Sequence, residues 1–277
     1  FSRHGTAAVI IILGATTWWF AHQHGEKMMV GDAQDGVAEL RPEARYNQDS
    51  RLITDRFSLS TDIINVIAEV GPFACTESYQ AMETIDRFAW NMQNVPGVQQ
   101  VISLPMVGRI VTAGYNEGSI KWRSLPRNAE VMRQSLQSVE TDSGLIDSPE
   151  CKAMPIIIFT EDHKAETITR VVAAVKDFRT RNGDYDVNFR VERNAAMEAA
   201  REKGEEYRTD EVNLRLATGS VGVAAAINET VTRLEKPMLY LLYAAVFLMC
   251  ILSFKNPLAA ACIVMPLILV TALGEAL

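Results

Sequence analysis

Residues 237 to 277 constrain this chain more than any other stretch, because they stay apolar for longer than an ordinary soluble core element does. Met238 to Phe254 carries no charge, Ser253-Phe254-Lys255-Asn256-Pro257 makes a tight turn, and Leu258 to Leu277 runs apolar until Glu275. A helix needs about 20 such residues to cross the hydrocarbon of a bilayer, and somewhat fewer when its ends reach the headgroups. The stretch reads as two membrane helices, 238–254 and 257–277. A third uncharged run, Gly5 to Ala21, ends in Trp18-Trp19-Phe20, the aromatic belt of a membrane–water interface, and gives a span at 1–21. That ending lacks the small residues of a signal-peptide cleavage site.

Orientation follows from the basic residues beside the spans, which stay cytoplasmic. Arg3 precedes the first span and Lys255 lies in the turn between the other two. Both are cytoplasmic only if residues 22–236 lie on the outer side. The formal net charge of −7 leaves no basic stripe to neutralise phosphates, so a nucleic-acid partner is not expected, whereas a lipid bilayer is. Position 1 is Phe and Leu277 falls at the end of an apolar helix, so the sequence reads as a piece of a longer chain.

Between the spans, residues 22–61 read as an extended connector, with Gly, Asp and Arg and little periodicity over 31–50. Asp62 to Val70 is β-branched and bounded by turn residues, hence a strand. A helix capped by Thr76 follows, with Tyr79, Met82, Ile85, Phe88 and Met92 on one face, and Pro96-Gly97 ends it before a strand at 98–104. After a looser region and a short helix near 128–139, the pattern recurs. Met154 to Phe159 is a strand, a helix begun by Thr160 buries Ile168, Val171, Val175 and Phe178, and Val187, Phe189 and Val191 alternate beyond it. Residues 194–210 suggest an exposed helix and 212–217 another strand. A helix from Ser220 then feeds through Pro237 into the second span, making Pro237 the joint between outer and membrane parts.

Candidate chemistry is sparse. No nucleophile elbow, phosphate-binding glycine loop, zinc-binding helix motif or Cys-x-x-Cys pair occurs, so neither enzyme activity, metal nor cofactor is expected. His22 and His24 lack further metal ligands, and Gly219-Ser220-Val221-Gly222 lacks the lysine of a phosphate loop and reads as a turn and cap. His163, among Glu161, Asp162 and Glu166, has the company of a base but reads as a polar residue on the first turn of a surface helix. Glu275 is the one ionisable residue in a predicted span, facing either a protein interior or headgroups. Cys250 and Cys262 read as packing residues. Cys75 and Cys151 are candidates for a disulfide, the alternative being two separate buried thiols.

Several stretches together resemble a known family: Gly31-Asp32 with Glu39-Leu40-Arg41-Pro42 and Tyr46-Asn47-Gln48-Asp49; Asn91-Met92-Gln93-Asn94-Val95-Pro96-Gly97-Val98; and Phe159-Thr160-Glu161-Asp162-His163-Lys164-Ala165-Glu166-Thr167. They are similar to resistance-nodulation-division exporters, in the subgroup related to lipid, hopanoid and sterol exporters, and most like the outer loop of the second half. The resemblance implies an α+β membrane protein whose transmembrane helices flank a porter domain of two ferredoxin-like βαβ subdomains. Those subdomains would be 62–150 and 151–219, followed by a coupling helix at 220–237. It implies the bacterial inner membrane, a periplasmic segment at 22–236, a hydrophobic or lipid-like substrate and a proton gradient as the energy source. As partners it implies the remainder of the same transporter, with further copies and periplasmic accessory proteins. It would also bring Cys75 and Cys151 to one end of adjoining subdomains. No Asp in the three spans matches the family's proton relay, and Glu275 does not take that role. The competing reading is a membrane-anchored periplasmic ligand-binding or sensing module.

The orientation is directly testable. A cysteine at Asn116 is expected to react with an impermeant thiol reagent in cells whose outer membrane alone is permeabilised. Labelling only after the inner membrane is opened overturns it.

Overall fold

Alternation of β-branched and small residues builds the centre of a four-stranded sheet from β1 (Ile63–Glu69), β2 (Val98–Ile102), β3 (Ala153–Thr160) and β4 (Asn213–Leu216). The computed structural model describes residues 4–25, 31–32, 36–37, 40–57, 59–137, 139, 144–146, 150–182, 195, 198–204, 212–216 and 220–276. Ile64, Val66 and Ala68 of β1 and Met154, Ile156 and Ile158 of β3 are buried, while the residues between them are half-buried. A period of two is what sends alternate side chains to opposite faces. The buried face meets α4 (Tyr79–Gln93) and α7 (Ala165–Arg181) in one core. At its centre the rings of Phe88 and Phe178 meet edge to face, 5.1 Å apart.

Strand order is β2-β3-β1-β4, and every neighbouring pair is antiparallel. The stretches 62–150 and 151–219 therefore interleave: both neighbours of β1, β3 and β4, come from the second stretch. The division into subdomains 62–150 and 151–219, each with its own strands, differs from this arrangement, in which both stretches build one sheet within a single unit, residues 32–226. A two-stranded pair cannot cover its own apolar face. Interleaving puts the two most apolar strands, β1 and β3, at the centre. The strand expected at 187–191 lies outside the described residues.

Pro155 sits in β3, an inner strand, although proline cannot donate to a ladder. It is tolerated because β2 pairs with β3 only from Ile157 to Thr160, so at Pro155 the strand has a neighbour on the β1 side alone. Beyond that end, Cys75 and Cys151 form a disulfide with Cα atoms 6.0 Å apart, and both residues are buried. It joins α3 (Ala74–Glu77) to the entry of β3, beside the bond from the Val70 N–H to the Lys152 carbonyl at 2.9 Å.

Three local readings are corrected. The connector 22–61 is not extended throughout, because residues Arg45–Arg56 form a helix, α2. It lacks an apolar stripe, and its order comes from buried Asn47 instead. The cap of α4 is Ser78, whose hydroxyl accepts from the Ala81 N–H at 3.1 Å, and Thr76 belongs to α3. The region after β2 contains α5 (Leu104–Tyr115), followed by a 3-10 turn at Ile120–Trp122 and by α6 (Ala129–Leu136), which Asn128 caps.

The second unit comprises residues 1–31 and 227–277. Its elements are α1 (His4–Gly25), the greater part of α8 (Ser220–Phe254) and α9 (Pro257–Ala276). Two helical stretches, Val221–Phe254 and Pro257–Gly274, are long and apolar enough to cross a membrane, and most of their residues are not buried. A soluble core helix would bury such residues, yet Leu241 and Leu258 are about three-quarters exposed. α1 packs on α9, where Ala260, Val264 and Ala272 are buried. Small residues let helix backbones approach closely in lipid. Hydroxyls turn back on their own helices: Thr16 donates to the Ile12 carbonyl and Thr271 to that of Leu267, each at 3.0 Å. Such bonds satisfy hydroxyls within the helix itself, as an apolar solvent would require.

Phe88→Ala is expected to cost about 3–5 kcal/mol, because a fully buried ring is lost and the T-shaped pair with it. Denaturant unfolding of the unit of residues 32–226 within the full chain measures this. A change below about 1 kcal/mol would mean the core collapses around the gap.

Candidate functional site

At the end of the sheet opposite the disulfide, backbone and side chains converge on His163. Its Nδ1 lies 3.1 Å from Asp62 Oδ2 and its Nε2 lies 2.8 Å from the Gly36 carbonyl oxygen. A carbonyl oxygen accepts only, and so does an ionised carboxylate. Both ring nitrogens therefore donate, which makes the ring an imidazolium. The hydrogen bond to Asp62 raises the pKa from 6.5 to about 9; burial opposes this, while the Asp62 charge, the Gly36 carbonyl and the Asp32 charge add to it. An imidazolium with both N–H groups engaged has no lone pair to act as a base. His163 also precedes its helix, since α7 begins at Ala165, rather than sitting on the first turn.

The clasp holds the connector to the sheet. Asn47 accepts from the Val37 N–H at 3.0 Å and donates to the Arg41 carbonyl at 3.1 Å, tying both backbone groups to one side chain. Gly36 has φ +82°, and a Cβ there would stand 2.6 Å from Asn47 Oδ1, so only glycine fits. The Ala165 N–H donates to the Asp32 carbonyl at 3.0 Å, and the Glu161 N–H to the Gly97 carbonyl at 2.8 Å. The three stretches that carry the family resemblance thus meet at one place. A small polar cleft of about 230 Å³ opens there between α2 and the turn 161–164.

A larger cleft, about 720 Å³, lies on α4, α5 and α6 and the segment joining the last two. Tyr79, Trp122, Leu125 and Val131 line it, together with Arg109, Arg123, Arg127, Glu83 and Asp86. Arg109 Nη2 is 3.1 Å from Asp86 Oδ1, and the Arg127 guanidinium stands 5.5 Å from the centre of the Tyr79 ring. Burial lifts the Asp86 carboxyl above its ordinary range; Arg109 pulls it down and Glu83 pushes it further up. Sequence reasoning missed this cleft because its residues come from three helices. The one signal was the run Lys121-Trp122-Arg123, cationic and aromatic together.

The remaining candidates are not brought together. Pro237 lies inside α8, which continues through it, and Cys75 and Cys151 serve the fold. Glu275 belongs to α9, but its side chain lies outside the described ones, as do those of His22 and His24, and Gly219 is not described. Among the described residues no group of three or more His, Cys, Asp or Glu is placed to hold a metal.

No family model matches the chain, and no curated protein matches it. What the geometry defines is a class: an α+β domain with a four-stranded antiparallel sheet, in a chain that also carries two helices able by length and composition to cross a membrane.

The clasp makes stability depend on pH. The folded pKa stands above the free value of 6.5, so the stabilisation is complete below about pH 6.5 and is lost as pH rises through about 9. The stability difference between wild type and His163→Ala, followed by thermal unfolding of the full chain, is expected to shrink over that window. A difference constant with pH would assign the ring a packing role only.

Proposed function

We propose that the chain is part of a proton-driven exporter of the resistance-nodulation-division type, moving hydrophobic or lipid-like molecules across or out of the bacterial inner membrane. The outer unit, on the periplasmic side, gathers the substrate and hands it on. The observation that carries this reading is α8, one helix from Ser220, beside the sheet core, through Pro237 to Phe254 in the apolar stretch. Proline removes one backbone hydrogen bond inside a helix without severing it, which leaves a joint that bends but still transmits. The strand order supports a ferredoxin-like porter: two βαβ units split and interleaved in an antiparallel sheet. The resemblance places the proton relay in spans this sequence does not include.

The test is a flexible Gly-Ser insertion between Lys236 and Pro237 of the full-length protein, reconstituted in proteoliposomes with a pH gradient. Loss of lipid efflux, with membrane insertion intact, is expected. Efflux at the wild-type rate would reduce the joint to a tether, and absence of gradient-driven efflux from the unaltered protein would favour the sensing module.

A further inference from the structure

The cleft on α4, α5 and α6 combines features that a protein surface does not assemble for solubility. Its volume, about 720 Å³, falls in the range that encloses one small ligand. Its apolar lining is wet: Trp122 is 53% exposed and Val131 42% exposed, while Leu125 behind them packs on the core. Leaving an indole half in water forgoes stabilisation that burial by a ligand would recover.

The charges are distributed unevenly in availability. Arg109 is committed to Asp86. Arg127 stands over Tyr79, 5.5 Å from the ring centre, and makes no ion pair among the described residues. Arg123 makes no ion pair among the described residues, and Glu83 is the one carboxylate of the cleft without a cation. Two available guanidinium groups therefore outweigh one available carboxylate, in a chain whose net charge is −7. Arginine forks match the two oxygens of a carboxylate or phosphate.

We infer that this cleft binds an amphiphile with one apolar chain and an anionic carboxylate or phosphate head, the chain lying along Trp122, Leu125 and Val131 and the head between Arg123 and Arg127. A soluble anion would leave the apolar wall wet, and a neutral lipid would leave both arginines unpaired. The inference deepens the transport reading, on which it rests for the fate of the bound molecule but not for binding itself.

The experiment uses the full chain in amphipol and dansyl-undecanoic acid, with its methyl ester as the uncharged twin. The acid is expected to bind and the ester to bind at least about tenfold more weakly, as loss of a charge-assisted contact implies. Arg123→Glu and Arg127→Glu, each with an unchanged melting curve, are expected to weaken the acid by a similar factor and leave the ester as it was. Displacement by dodecanoate or by dodecyl phosphate, whichever is tighter, names the head. Equal binding of acid and ester, no binding of the acid, displacement by dodecanol as tight as by either anion, or indifference to both substitutions overturns the site. Binding of the acid without gradient-driven efflux from proteoliposomes would sink the transport reading and leave the site. Efflux without binding of the acid would do the reverse.

Discussion

Seven residue pairs, from Ile63↔Phe159 to Glu69↔Ala153, hold β1 to β3, and most of the sheet-bearing unit depends on that register. It sets the core face, because a slip of one residue would turn Ile64, Val66 and Ala68 away from Phe88. It also sets both ends of the sheet. At one end it lays Asp62 beside the turn that follows Thr160, where the Thr160 N–H donates to the Asp62 carbonyl at 2.9 Å, and so brings carboxylate and imidazolium together. At the other it carries the chain after Glu69 towards the residues before Ala153, where the disulfide closes. Clasp and bridge are two fastenings of one ladder.

The two units are built differently. The unit of residues 32–226 buries an alternating strand face beneath amphipathic helices. The helical one exposes leucines, and its Thr16 and Thr271 hydroxyls bond back to their own helices. One helix, α8, belongs to both, and its composition changes along its length: Asn228, Glu229, Arg233 and Glu235 precede Pro237, and no charge follows until Lys255.

What could be read in advance was what periodicity encodes. Strands at 62–70 and 154–159, the face Met82-Ile85-Phe88-Met92, the face Ile168-Val171-Val175-Phe178 and the two apolar helices after Pro237 and Asn256 stand close to where hydrophobic spacing put them. What could not be read was pairing between distant segments. Nothing local tells β1 to sit between β3 and β4 rather than beside β2. The helix α2 escaped because a single buried asparagine, not a stripe, organises its surroundings. His163 was visible as a residue but not as an imidazolium, since its two partners come from about 100 or more positions away. The arginine-lined cleft was invisible for the same reason.

The sheet order also imposes a timetable on synthesis. β1 is made first among the strands, and neither of its neighbours exists until the chain has grown past residue 153 and then past residue 213. At about 5–20 residues per second, β1, one of the two most apolar strands, waits several seconds with both edges unpaired. Cys75 waits as a thiol for the same interval, because Cys151 lies two positions before β3. The disulfide is thus dated: it cannot form before the β3 segment begins to arrive, and β1 must be kept from other edges until then.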